Sequence, residues 1–145
     1  MTFLGSFNGE DRSTLRSLAT LGLRCVIVDD NPGFISAAGN LLTREGVSVV
    51  GVAYDGDGAV ERVTELRPDV ALVDINLENE SGFDVAKRLT ELPEAATPVI
   101  LISSYSERDF ADLIASSPAL GFVSKADLSA DAIEKLIRSN GAAPS

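Results

Sequence analysis

A doubly wound α/β fold, with an open parallel sheet of five strands and helices on both faces, is what this sequence predicts. Three observations lead there. Short runs rich in Val and Ile alternate with longer segments of helical period. The runs are apolar along their whole length, as strands covered on both faces must be. The chain, 145 residues with 45% hydrophobic content, is the size of one domain and buries enough surface for a core without disulfides or a structural metal.

The strands are read at 23–28, 47–54, 70–73, 99–102 and 121–123, all too short for helices. After the first, Phe34, Ile35, Ala38, Leu41 and Leu42 form a helical stripe that Asn31 caps, Pro32 starts and Gly46 ends. Ala59, Val60, Val63 and Leu66 mark a second helix, closed by Pro68. Val85, Ala86 and Leu89 mark the third, and Phe110, Leu113 and Ile114 the fourth. Ile133, Leu136 and Ile137 mark the fifth, with Ser129 as its cap. This domain occupies residues 23–140. Residues 1–22 stand outside the alternation as an N-terminal extension, helical or disordered, in which Leu15, Leu18 and Leu21 line one face of a short amphipathic helix if one forms. Residues 141–145 read as a tail or the stub of a linker.

Composition excludes several functions. Lys+Arg 12 against Asp+Glu 22 gives a formal charge of −10, which opposes the phosphate-backbone attraction a nucleic-acid binder relies on. With no His, zinc-imidazole sites and Ser-His-Asp catalysis are ruled out. The single Cys25 lies in an apolar run, reads as a small buried hydrophobe and agrees with a reducing compartment. No run approaches the ~20 residues needed to span a bilayer, and no signal peptide is visible, so a cytoplasmic protein without membrane contact is expected.

In an open parallel sheet, ligands bind beyond the carboxyl ends of the strands. There the chain places Asp29-Asp30, Asp74, Ser103-Ser104 and Lys125. Three carboxylates in a small volume repel one another unless a cation neutralises them. Mg²⁺ suits an all-oxygen site and usually takes one or two carboxylates plus substrate phosphate. A carboxylate in line with a phosphoryl donor can act as nucleophile, while metal, ammonium and hydroxyl stabilise the phosphoryl oxygens. The set is that of a phosphoryl-transfer site.

These residues also carry a family resemblance. Val26-Ile27-Val28-Asp29-Asp30-Asn31, Leu72-Val73-Asp74-Ile75-Asn76 with Gly82 eight positions after Asp74, Pro98-Val99-Ile100-Leu101-Ile102-Ser103-Ser104 and Gly121-Phe122-Val123-Ser124-Lys125 resemble the motifs of the receiver domains of bacterial two-component response regulators, from Arg24 to about Ser139. The resemblance implies strand order 2-1-3-4-5, as in flavodoxin-like folds. It implies that Asp74 takes a phosphoryl group from a sensor histidine kinase or phosphotransfer protein. Mg²⁺, with Mn²⁺ as a substitute, would sit on Asp30, Asp74 and the backbone carbonyl of Asn76, and on Asp29 through water. Ser103 and Lys125 would grip the phosphoryl group, and Phe122 would change rotamer as Ser103 moves. Asn76 and Tyr105 would flank the path of attacking water and tune lifetime. The switching surface would be the fourth helix, fifth strand and fifth helix, facing a downstream protein, a tethered output domain or a second copy. Catalysis would be directed only at the chain itself.

Two departures stand out. The family often has Met-Pro where this chain has Leu77-Glu78, and Lys-Pro where it has Lys125-Ala126. They leave room for a second reading, a pseudo-receiver that binds partners without phosphorylation. A haloacid-dehalogenase-type phosphohydrolase needs an Asp two positions after its nucleophile; the chain has Asn76 there after Asp74 and Asn31 after Asp29, and Asp55-Gly56-Asp57 falls in a turn. No Ser/Thr/Gly-rich phosphate loop of a flavin binder follows the first strand.

Overall fold

A computed structural model describes residues 22–140. The expected elements are present: strands β1 (Arg24–Val28), β2 (Ser48–Ala53), β3 (Val70–Asp74), β4 (Val99–Ser103) and β5 (Gly121–Ser124), with helices α1 (Pro32–Arg44), α2 (Gly56–Leu66), α3 (Gly82–Thr90), α4 (Ala111–Ser116) and α5 (Ala130–Ser139). All pairings in the main sheet are parallel and the order is β2-β1-β3-β4-β5. The proposed extension, apart from Gly22, and residues 141–145 lie outside the described residues.

Period-2 geometry divides the core cleanly. Cys25, Ile27, Val70, Leu72, Ile100 and Ile102 point to one face and pack with Leu42 of α1 and Ile133 of α5. Val26, Val28, Ala71, Val73, Val99 and Leu101 point to the other and pack with Val63 of α2 and Leu89 of α3. Both faces are therefore filled, as the uninterrupted apolar strands require.

Local chemistry sets the helix ends. The side chains of Asn31, Asp55 and Ser129 cap α1, α2 and α5, accepting from the N–H groups of Phe34, Gly58 and Ala132, and Pro32 opens α1. The fourth helix departs from expectation. A 3₁₀ turn over Glu107–Phe110 precedes it, only six residues are α-helical, and Leu113 is exposed while Phe110 and Ile114 pack against the core. The tighter 3₁₀ turn rotates the following side chains, so a stripe drawn at α-helical spacing through Phe110 does not keep Leu113 inward.

Between β3 and α3 the chain makes a small antiparallel ladder, Asn76–Leu77 against Glu80–Ser81. At its end Gly82 donates its N–H to the Ile75 carbonyl at 2.8 Å, and a Cβ at this position would overlap the backbone carbonyl of Asp74. Glycine is required here by close approach of two backbones. Gly82→Ala is expected to destabilise the chain by at least the ~1–3 kcal/mol typical of overpacking, read as a lower urea midpoint; an unchanged midpoint would show that the α3 start can back away from β3 at no cost.

Candidate functional site

The register of the sheet assembles the site. Val28 pairs with Val73, so Asp29, one step past β1, is level with Asp74 at the end of β3. Asp74 pairs with Ile102, and Ser103 pairs with Ser124, which brings Ser103 and Lys125 to the same edge. Carboxylate oxygens of Asp29, Asp30 and Asp74 all lie within 4.8 Å of one another. Asp29 and Ser103 are fully buried, Asp74 nearly so, and Asp30 half-buried.

Lys125 answers this negative charge. Its Nζ lies 2.8 Å from Asp29 Oδ2 and 3.3 Å from Asp74 Oδ2. The Lys125-Ala126 step does not keep the ammonium from the site, and no peptide bond among the described residues is cis. Although Asp29 Oδ2 is close to Nζ, it receives no aligned hydrogen bond and is the one buried side-chain oxygen or nitrogen among the described residues without one. Backbone N–H groups hold one oxygen of each carboxylate: Asn31 donates to Asp29 Oδ1 (2.8 Å), Asn76 to Asp74 Oδ1 (3.1 Å) and Glu78 to Asp30 Oδ2 (2.6 Å). Tyr105 donates its N–H to Ser103 Oγ at 3.0 Å. Burial drives the Asp74 carboxyl above the usual carboxylate range, with the Asp29 charge adding to it, against the Asn76 N–H and the Lys125 ammonium, which favour the ionised form.

With this arrangement in place, comparison with known proteins is decisive. Residues 25–138 match the response regulator receiver domain family. The chain belongs to that family. It is a receiver domain of two-component systems, whose fold is a signalling switch. It is 29% identical over 103 residues to the DNA-binding transcriptional activator EvgA of Escherichia coli strain K12, covering 71% of this chain and 50% of that protein. It is 33% identical over 107 residues to a protein-glutamate methylesterase/protein-glutamine glutaminase of Archaeoglobus fulgidus, covering 72% of this chain and 30% of the relative. The chain thus spans half or less of the length of these relatives. Among solved structures, the signal receiver domain of NarL from Mycobacterium tuberculosis matches with a TM-score of 0.67 and 33% identity, covering 81% of this chain and 94% of that one. The response regulator domain of Thermotoga maritima CheB matches with a TM-score of 0.69 and 25% identity, over 84% and 98%.

The acidic edge of this receiver fits a hard divalent cation. Its donors are all oxygens, Asp29 Oδ2 is buried without an aligned donor, and the carboxylates outnumber Lys125, the one ammonium that faces them among the described residues. No helix among the described residues is long and apolar enough to cross a membrane.

Of the other sequence-predicted residues, Phe122 is half-buried and, like Phe83 and Phe110, packs against the α2 and α3 face of the sheet. Tyr105 is exposed, its ring edge-on to Phe110 at 6.4 Å between centroids. Sequence reasoning missed two contributors. Glu78 supplies the backbone N–H that holds Asp30, a bond that proline at this position would forbid. Glu80 accepts from the Gly56 N–H at 2.7 Å and so ties the ladder to the start of α2. The Leu77-Glu78 departure signals the first; only the pairing of the ladder reveals the second.

Because the folded Asp74 ionises at higher pH than an unfolded Asp, whose pKa is about 3.9, the unfolded chain loses this proton first as pH rises. Asp74 therefore lowers stability progressively across that window. In chelator-treated protein, urea melts from about pH 4 to neutrality should show wild type losing stability relative to Asp74→Asn, and added Mg²⁺ should raise the wild-type midpoint more than the variant's. Parallel pH curves for the two would remove Asp74 as the source of the cost.

Proposed function

We propose that this receiver is a Mg²⁺-dependent phosphoacceptor switch in which Asp74 is the nucleophile. The convergence of three carboxylates with Lys125, whose ammonium reaches both Asp29 and Asp74, is the observation that carries this reading. Asp30, Asp74 and the backbone carbonyl of Asn76 would hold Mg²⁺, with Asp29 acting through water; Mn²⁺ would serve in its place. When bound, the metal supplies charge neutralisation for the carboxylates and the phosphoryl oxygens.

The chain's own residues do the rest. An Asp74 carboxylate oxygen attacks phosphorus, the P–N bond of a phosphohistidine or phosphoramidate breaks, and the departing nitrogen takes up a proton. The Asn76 N–H on Asp74 Oδ1 keeps the carboxylate oriented through the attack. Lys125, already beside Asp74 Oδ2, meets the negative charge of the incoming phosphoryl oxygens, and the Ser103 hydroxyl donates to one of them. Ser103 Oγ then gives up the Tyr105 N–H, which lets the β4–α4 connection shift and Phe122 change rotamer. The altered surface of α4, β5 and α5 is read by a downstream protein, a tethered output domain or a second copy of the chain. Asn76 and Tyr105, both exposed and each two residues beyond a reacting or gripping side chain, tune how quickly water removes the phosphoryl group.

The phosphoryl donor in the cell would be a sensor histidine kinase or phosphotransfer protein, the setting cytoplasmic, and the only reactions those on Asp74 itself. Intact-mass spectrometry after incubation with acetyl phosphate or phosphoramidate is the test. A gain of one phosphoryl group that needs Mg²⁺ and disappears in Asp74→Asn is expected; labelling that persists in the variant would assign the nucleophile elsewhere, and no labelling of folded wild type by donor or kinase would make this receiver a phosphorylation-independent module.

A further inference from the structure

Lys125 has a third neighbour besides its two carboxylates. Its Nζ stands 4.4 Å from the centroid of the Phe34 ring, within the range at which an aromatic face attracts an ammonium. Phe34 is half-buried in the first turn of α1, and its N–H donates to Asn31 Oδ1 at 3.1 Å. The Asn31 N–H donates in turn to Asp29 Oδ1, and the other oxygen of Asp29 is the one beside Lys125. The four contacts close a circuit, from Asp29 through Asn31 and Phe34 to Lys125 and back to Asp29. The α1 cap that orients Phe34 is thus built on the same carboxylate that the ammonium faces.

We propose that Phe34 is a positioning residue of the phosphoacceptor site, its ring holding the Lys125 ammonium where it meets Asp74 and the phosphoryl group carried there. The proposal rests on the reading of Asp74 as phosphoacceptor. Lys125 is a long, flexible side chain, and its shorter contact is to Asp29 rather than Asp74, 2.8 Å against 3.3 Å. Nζ already rests against buried Asp29 Oδ2 without an aligned hydrogen bond while donating to Asp74 Oδ2, so its position is shared between two carboxylates and a further contact biases it. The ring offers a competing attraction from α1. It does so through its quadrupole rather than a net charge, so it adds no fourth anion to a crowded site and offers no oxygen ligand to a divalent metal. A carboxylate or amide in its place would do one or the other.

The test uses the full chain with Phe34→Leu, Phe34→Tyr and a series carrying one to three ring fluorines at position 34, which drain the π face while preserving shape. Two quantities are read. Without any phosphodonor, the ε-methylene protons of Lys125 should be displaced upfield by the ring current in wild type and Phe34→Tyr, and return to ordinary values in Phe34→Leu. With phosphoramidate and Mg²⁺, Phe34→Leu should be phosphorylated about 3- to 10-fold more slowly, Phe34→Tyr within about twofold of wild type, and the fluorinated series should slow in step with fluorine number. A urea midpoint for Phe34→Leu close to wild type would assign the rate loss to position rather than folding. Equal rates in wild type and Phe34→Leu, or an upfield shift that survives in Phe34→Leu, would overturn the proposal alone. Absence of labelling in every protein including wild type would remove the phosphoacceptor reading, and this proposal with it.

Discussion

Everything distinctive in this receiver follows from forcing three carboxylates together at one edge of a buried sheet. The register of β1, β3 and β4 leaves no choice in the matter: once the apolar residues of both faces are in place, Asp29 and Asp74 arrive at the same level and Ser103 one residue beyond, at the same edge. Like charges at this spacing and burial oppose the fold. The surrounding structure is arranged to contain them, through three backbone N–H groups and one ammonium. That containment is partial, since an oxygen of Asp29 still lacks an aligned donor. The acidic edge is therefore suited to additional positive charge, which would relieve this deficit.

The loop after β3 shows how that preparation is coupled to the rest of the domain. Gly82 brings the start of α3 against the backbone of Asp74, the ladder positions Glu78 over Asp30, and Glu80 reaches the start of α2. Three elements thereby meet around the Asp74 carboxylate. A displacement of the loop has to be shared by α2 and α3, which pack together on one face of the sheet, whereas Lys125 and Phe34 answer to β5 and α1. Changes at Asp74 can accordingly be felt on both sides of the sheet.

The fold was legible because period-2 and helical patterns seldom compete in this chain. Five apolar runs, Asn31-Pro32 and Ser129 specified strands and caps with little tertiary correction. The β4–α4 region resisted, because a 3₁₀ turn re-aims side chains without leaving a strong mark in the sequence, and Leu113 ended exposed. At the site, the side chains that gather at the strand ends were readable from position alone: Asp29, Asp30, Asp74, Ser103 and Lys125. Residues that contribute in other ways were not. Glu78 contributes a backbone N–H, Glu80 reaches across 24 residues of sequence, and Phe34 looked like any apolar member of a helical stripe. Periodicity reports which face a residue occupies, but says nothing of a charge resting on its ring.

Cys25 lies inside β1, fully buried, with its thiol pushed up to about 12. It is the only sulfhydryl of the chain, and at physiological pH it offers almost no thiolate to peroxide or to a disulfide partner. The domain is thus indifferent to oxidants at its one cysteine, only four residues before the acidic edge. Oxidants that modify exposed thiols elsewhere in a cell would leave this buried thiol alone, so thiol chemistry within the domain does not reach the acidic sheet edge.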